Sequence, residues 1–114
     1  MRDCDSSGGG RDILLTAMDR VHDAVLDRRS ADVIAPLLDD LARFCAEHFA
    51  TEERVLRRYG YRHVDARSAT HARLLKRIPD LQKRIRSGER KSAGIMNLLH
   101  SLSEQAGYPE RSAA

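Results

Sequence analysis

Tryptophan is absent from this chain, and the remaining aromatics amount to three Tyr and two Phe. Sheets draw heavily on aromatic and β-branched side chains, so this scarcity favours helices packed through Leu, Ile, Val and Ala. Only three prolines interrupt 114 residues, which leaves room for long helices. No apolar run reaches the length of a membrane span, and the N-terminus lacks the apolar core of a signal peptide. The expected compartment is therefore the cytoplasm, with no membrane partner. Cys4 and Cys45 stand far apart and match neither a disulfide framework nor a zinc knuckle. No charge of one sign dominates: 20 basic against 17 acidic residues give +3 and a pI near 9.2, too mildly basic to require nucleic acid.

Within these limits the chain has the length of one domain, with 41% hydrophobic residues to build a core. Residues 1–10 (MRDCDSSGGG) are polar and glycine-rich and read as a disordered head. Asp12 opens a first helix with Ile13, Leu14, Met18, Val21 and Val25 on one face and His22 beside them, fading through Asp27, Arg28, Arg29 and Ser30. A second helix begins close to Pro36, where proline suits a first turn, and ends at Gly60 as its C-terminal cap. A third spans about 63–86, with Val64, Arg67, His71, Leu74, Leu75, Ile78, Leu81 and Ile85 inward and a kink expected at Pro79. Ser87 and Gly88 break it. A fourth covers about 89–106, with Ile95, Met96, Leu99 and Leu102 inward and His100 and Glu104 on an adjoining part of that face. Gly107, Tyr108 and Pro109 stop it, leaving 108–114 as a short tail. No internal repeat appears. The expected fold is all-α, an antiparallel up-down four-helix bundle over 11–107.

The stretch from Phe44 to Gly60 carries the chemistry. His48 and Glu52 lie four residues apart within the apolar stripe of the second helix, so both point the same way. A solvated His–Glu pair is the bland explanation for one such spacing. The spacing recurs, however, as His100 and Glu104 on the fourth helix. In an up-down bundle, residues equidistant from a turn share one level. The midpoint between Glu52 and His71 falls beside Gly60, that between His71 and His100 at Ile85–Arg86, and that between His22 and His48 at Ala35. Four histidines, one per helix, thus project to one level of the core. Buried without partners, His22, His48, Glu52, His71, His100 and Glu104 would cost about 1–3 kcal/mol each. Their sum rivals the whole stability of a domain, about 5–15 kcal/mol. The site is either hydrated and open or holds metal. Four imidazoles with two carboxylates able to bridge suit two iron ions better than one zinc.

The order H…HxxxE…H…HxxxE resembles the hemerythrin-like (HHE cation-binding) family. The run from His48 through Glu52 and Glu53 to Tyr59-Gly60-Tyr61 is similar to the bacterial hemerythrins in particular. The resemblance covers about 18–105. It implies a four-helix bundle with a carboxylate-bridged non-haem di-iron centre, in which His22, His48, His71 and His100 are terminal ligands and Glu52 and Glu104 bridge. It implies binding, sensing or handling of oxygen, peroxide, nitric oxide or iron, by a metal-binding and oxygen-binding protein rather than a dedicated enzyme. Dioxygen or a related small ligand is the implied partner.

Two positions depart from the oxygen-carrying pattern. Arg67 stands where those proteins place a second histidine, one turn before His71, and Gln105 where they place a bridging Asp. His63 reads as a solvated residue at the start of the third helix. Three outcomes are open for Arg67: turning outward, pairing with Glu52 or Glu104, or hydrogen-bonding an oxygen ligand between the irons. Cys45 reads as a small buried hydrophobe, and Glu53, Arg54, Arg57 and Arg58 as solvated surface. A different class of function is also open. Arg73, Lys76, Arg77, Lys83, Arg84, Arg86, Arg90 and Lys91 form a basic stripe, which a bundle that had lost its iron could use as an interaction module. Interleaved Asp65, Asp80 and Glu89 favour an ordinary solvated face instead.

Overall fold

The computed structural model describes the backbone of residues 6–88 and 92–105 and the side chains of 13–88 and 93–105. Four helices follow one another: α1 (Ser6–Leu26), α2 (Ala31–Arg58), α3 (Val64–Arg86) and α4 (Ser92–Gln105). Each packs on its neighbour in sequence, and α4 closes back on α1, while among the described residues no diagonal pair meets. This is the antiparallel up-down four-helix bundle that the patterning predicts. Among the described residues there is no strand. No described helix is long and apolar enough to cross a membrane.

Three helices end in the same way, for the same reason. A helix leaves its last carbonyls without partners, and a residue in the left-handed region lets the following amides turn back to them. In α2, Gly60 (φ 72°) is that residue, and the amides of Gly60 and Tyr61 bond to Arg57 O and Leu56 O. In α3 the role falls to Gly88 (φ 97°), whose amide bonds to Ile85 O. In α1 it falls to Arg28 (φ 55°), with Arg28 N–H to Val25 O and Arg29 N–H to Ala24 O.

Helix starts depart more from expectation. The second helix begins at Ala31 rather than near Pro36, because Ser30 in extended conformation (ψ 167°) precedes the first turn and its carbonyl accepts from Val33 and Ile34. Asp32 in that first turn faces the positive end of the helix dipole. Helix α1 starts at Ser6, so residues 6–10 of the expected disordered head are helical. The glycines there are weak helix formers, and the turns extend from a helix already nucleated further on. Helix α3 runs without a break through Pro79, which lies on its exposed side. Residues 1–5 of the head with Cys4, the expected fourth-helix positions 89–91 and 106 with Arg90 and Lys91, the stop at 107–109 and the tail at 108–114 lie outside the described residues.

The core is aliphatic. Leu14, Val21, Leu38, Leu41, Ile78, Leu98 and Leu102 are fully buried, and Phe49 is the bulkiest side chain among them. Ile13, expected to face inward, is half exposed, and Ala17 and Ala24 sit in the core instead. One polar anchor crosses the core away from the histidines: Gln82 Nε2 on α3 donates to Ala35 O (2.8 Å) and Asp39 Oδ1 (2.6 Å) on α2.

Candidate metal centre

Helices α2 and α3 run antiparallel out of the Gly60 turn, which brings Glu52 opposite His71. Both are removed from water, at 1% and 2% side-chain exposure. The buried stripe of α2 continues through Cys45, Phe49, Glu52 and Leu56, so the carboxylate occupies a position that the helix period assigns to the core. Phe49, one position less than a full turn earlier, lies flat against His71, with ring centroids 3.8 Å apart and planes within 3°. Glu53 reaches the other edge of the imidazole, its Oε2 lying 2.6 Å from His71 Nδ1. An ionised carboxylate can only accept, so Glu53 places a proton on Nδ1.

That assignment has a consequence at the opposite edge. His71 Nε2 lies 3.3 Å from Glu52 Oε1, yet the approach is off-line and Nε2 has no hydrogen-bond partner among the described residues. With the proton on Nδ1, a neutral imidazole turns a lone pair toward a carboxylate oxygen. In that protonation state two acceptors face each other across a buried gap, whereas a ring protonated at both nitrogens pairs with Glu52 as well as with Glu53. The facing acceptors call for a cation, either a second proton on the ring or a metal ion.

Arg67, at 13% exposure, satisfies the carboxylate from the other side. Its Nε donates to Glu52 Oε1 (2.9 Å) and its Nη2 to Glu52 Oε2 (3.1 Å), a two-pronged pairing. The same Nη2 lies 3.4 Å from Gln105 O, the last carbonyl of α4. Of the three outcomes open for Arg67, the structure adopts the pairing with Glu52. Burial pushes the Glu52 carboxyl up, but His71 and Arg67 together outweigh it and hold the group below its usual 4.5. Cys45, one turn before Phe49, is fully buried and burial pushes its thiol up to about 12, so it behaves as a small hydrophobe.

The other expected ligands are placed differently. His48 is half-buried, its ring centroid 6.0 Å from that of Phe49. His22, expected inward, is 48% exposed and 3.8 Å from Asp23. His100 and Glu104, also expected inward, lie 3.4 Å from each other at 76% and 64% exposure. The structure therefore brings Glu52 and His71 together and leaves His22, His100 and Glu104 on the surface. The physical reason is hydration: a polar side chain at the border of an apolar stripe stays in water unless a partner inside compensates its burial. Among the described residues, no three His, Cys, Asp or Glu groups are disposed to hold one metal ion. Glu52 and Glu53 take opposite edges of His71 and do not converge. The orphaned Nε2 facing Glu52 fits a metal ligand pair, whereas the six-residue set for two ions does not fit this arrangement of side chains.

Two residues of the site were not among the expected ones. Glu53 is half-buried rather than solvated, and Phe49 is a ring platform. Their signal in the sequence was position: Phe49 precedes Glu52 by three residues on the buried stripe of α2, and Glu53 directly follows it, so both come within reach of His71.

Comparison with known proteins gives one consistent direction. The chain is similar to bacteriohemerythrins of Pseudomonas aeruginosa, 26% identical over 101 residues. It is also similar to that of Pseudomonas paraeruginosa, 28% identical over 94 residues. These alignments cover 83% and 77% of the chain, which spans 65% and 61% of the length of those relatives. No family model and no solved structure matches. Beside the four-helix architecture, the chain is thus similar, at a distance, to hemerythrin-like proteins.

Proposed function

We propose that this chain is a hemerythrin-like metal protein of the cytoplasm that binds, senses or handles oxygen, a related small molecule such as peroxide or nitric oxide, or iron itself. Its metal is non-haem iron, with Glu52 and His71 at the heart of the site and His48 one turn before Glu52. His22, His100 and Glu104 are the further ligands that two bridged ions would require, and they would have to turn inward. The observation that carries this reading is the buried His71 Nε2, which faces Glu52 Oε1 across 3.3 Å with no hydrogen-bond partner among the described residues. Iron held there would supply open coordination positions for a small ligand. The chain's own residues prepare the place. Glu53 holds the Nδ1 proton and so fixes which nitrogen is free, a role typical of the residue behind a ligating histidine. Phe49 keeps water from one face of the ring and holds its plane.

Iron content after anaerobic loading with ferrous ion and desalting tests the proposal. Retained iron that is lost in both Glu52→Ala and His71→Ala is the expected outcome. Two ions per chain would bring in the α1 and α4 ligands, and one would confine the site to α2 and α3. No retained iron would sink the reading.

A second reading is favoured by a specific contact. Arg67 already supplies a positive charge to both oxygens of Glu52. A bundle with this internal cation could persist without iron and act through the basic face of α3, where Arg73, Lys76, Arg77, Lys83, Arg84 and Arg86 are exposed.

A further inference from the structure

Arg67 joins three helices at one atom. From α3, its Nη2 donates to Glu52 on α2 and approaches the terminal carbonyl of α4 at Gln105. That carbonyl belongs to the last turn of a helix, where the dipole is negative and backbone acceptors lack intrahelical partners. A guanidinium there closes the end of α4 as well as pairing the buried carboxylate. Gln105 contributes a further acceptor, since its side-chain Oε1 is buried without a hydrogen-bond partner among the described residues.

A metal ion between His71 Nε2 and Glu52 Oε1 would meet this guanidinium head on. Oε1 is already 2.9 Å from Arg67 Nε, and Oε2 is taken by Nη2. A divalent cation and a guanidinium on one buried carboxylate leave positive charge in excess, with water too scarce to screen it. Glu53, the other carboxylate at the site, faces the far edge of the imidazole and cannot restore the balance. One cation must give way.

We propose that Arg67 is an internal competitor for metal at Glu52, and that its displacement releases the C-terminal end of α4. The proposal rests on the reading that Glu52 and His71 take metal. It makes the chain report metal occupancy mechanically: in the metal-free chain α4 is fastened at Gln105, and in the loaded chain that fastening is undone. Arg67 would thereby set how much metal the site demands before filling. It is a positioning and selectivity residue rather than a ligand.

Cobalt(II), whose visible absorption reports its own coordination, is the probe. Anaerobic titration of wild type, Arg67→Gln and Arg67→Lys compares affinities, with circular dichroism to establish that each is folded. Arg67→Gln should bind cobalt more tightly by about tenfold or more, equal to about 1.4 kcal/mol per tenfold. Arg67→Lys, which keeps the charge but loses the fork, should fall between. Binding in Arg67→Gln alone, with none in wild type, would support the strongest form of the competition. Equal or weaker binding in Arg67→Gln would overturn the competition while leaving metal binding standing. Absence of binding in all three would overturn this proposal together with the proposed function.

A second measurement needs no variant. Hydrogen exchange of the wild-type amides at 101–105 should speed up when cobalt is added. Protection of those amides would overturn the release, because it would mean that α4 is drawn toward the metal rather than let go.

Discussion

Adjacent carboxylates on a helix point about 100° apart, and Glu52 and Glu53 use that divergence to take opposite edges of one imidazole. Their energetic roles differ accordingly. Glu52 is the counter-charge of Arg67 and faces His71 Nε2, whereas Glu53 orients the ring. Because the folded state holds the Glu52 carboxyl below its usual 4.5, its contribution to stability is fully present above that value. The contribution fades as pH falls through the lowered folded value, where the native carboxylate takes up its proton. Glu52→Gln should therefore destabilise the metal-free protein by about 3–5 kcal/mol near neutral pH, since it strands a buried guanidinium. Urea denaturation at several pH values would show the deficit shrinking well below 4.5. A deficit that stays constant into acid would assign the effect to shape rather than charge.

Among the helix ends, Gly60 and Gly88 take positive φ without cost, whereas Arg28 holds the same conformation with a Cβ. Arg28→Gly should therefore stabilise the bundle by about 0.5–1 kcal/mol, the relief of strain being partly offset by the freer unfolded chain. The midpoint of urea denaturation measures it, and an unchanged midpoint would mean that the Arg28 side chain compensates locally. The same comparison explains what was readable. Gly60 and Gly88 announced the ends of α2 and α3 because glycine is the usual residue at that position. The end of α1 was legible only as a fading of pattern, since arginine carries no such signal. At the start of α2, Pro36 drew attention from Ser30 and Asp32, which mark the true first turn. Pro36 is the sixth helical residue and lies on an exposed face, where water can meet the Asp32 carbonyl that the proline leaves without an amide partner.

At the scale of the whole molecule, counting residues from the turns determines height along the bundle but not rotation about each helix axis. Height was enough to pair Glu52 with His71, because both continue fully apolar stripes, α2 through Phe49 and α3 through Leu74 and Ile78. It was not enough for His22 and His100, which counting from the turns puts at that level but which lie exposed, where water competes for them. The basic stripe on α3 is a surface property in the same sense. Its exposed arginines and lysines alternate with Asp65 and Asp80, so any nucleic-acid binding should be weak and fade between roughly 50 and 200 mM salt, with about −0.9 in slope for each phosphate neutralised. Filter binding across a salt series checks this, and tight salt-resistant binding would make the basic face the functional one. Gly94 adds a mechanical constraint: a methyl group built there would lie 3.1 Å from Leu81 Cδ2, so the missing side chain sets how near the start of α4 can lie to α3. About 16 Å further along, Arg67 clasps the other end of the same helix. The atom such a methyl would meet is the tip of a flexible side chain, so Gly94→Ala asks Leu81 to give way by about a few tenths of an ångström and leaves the distant clasp where it is.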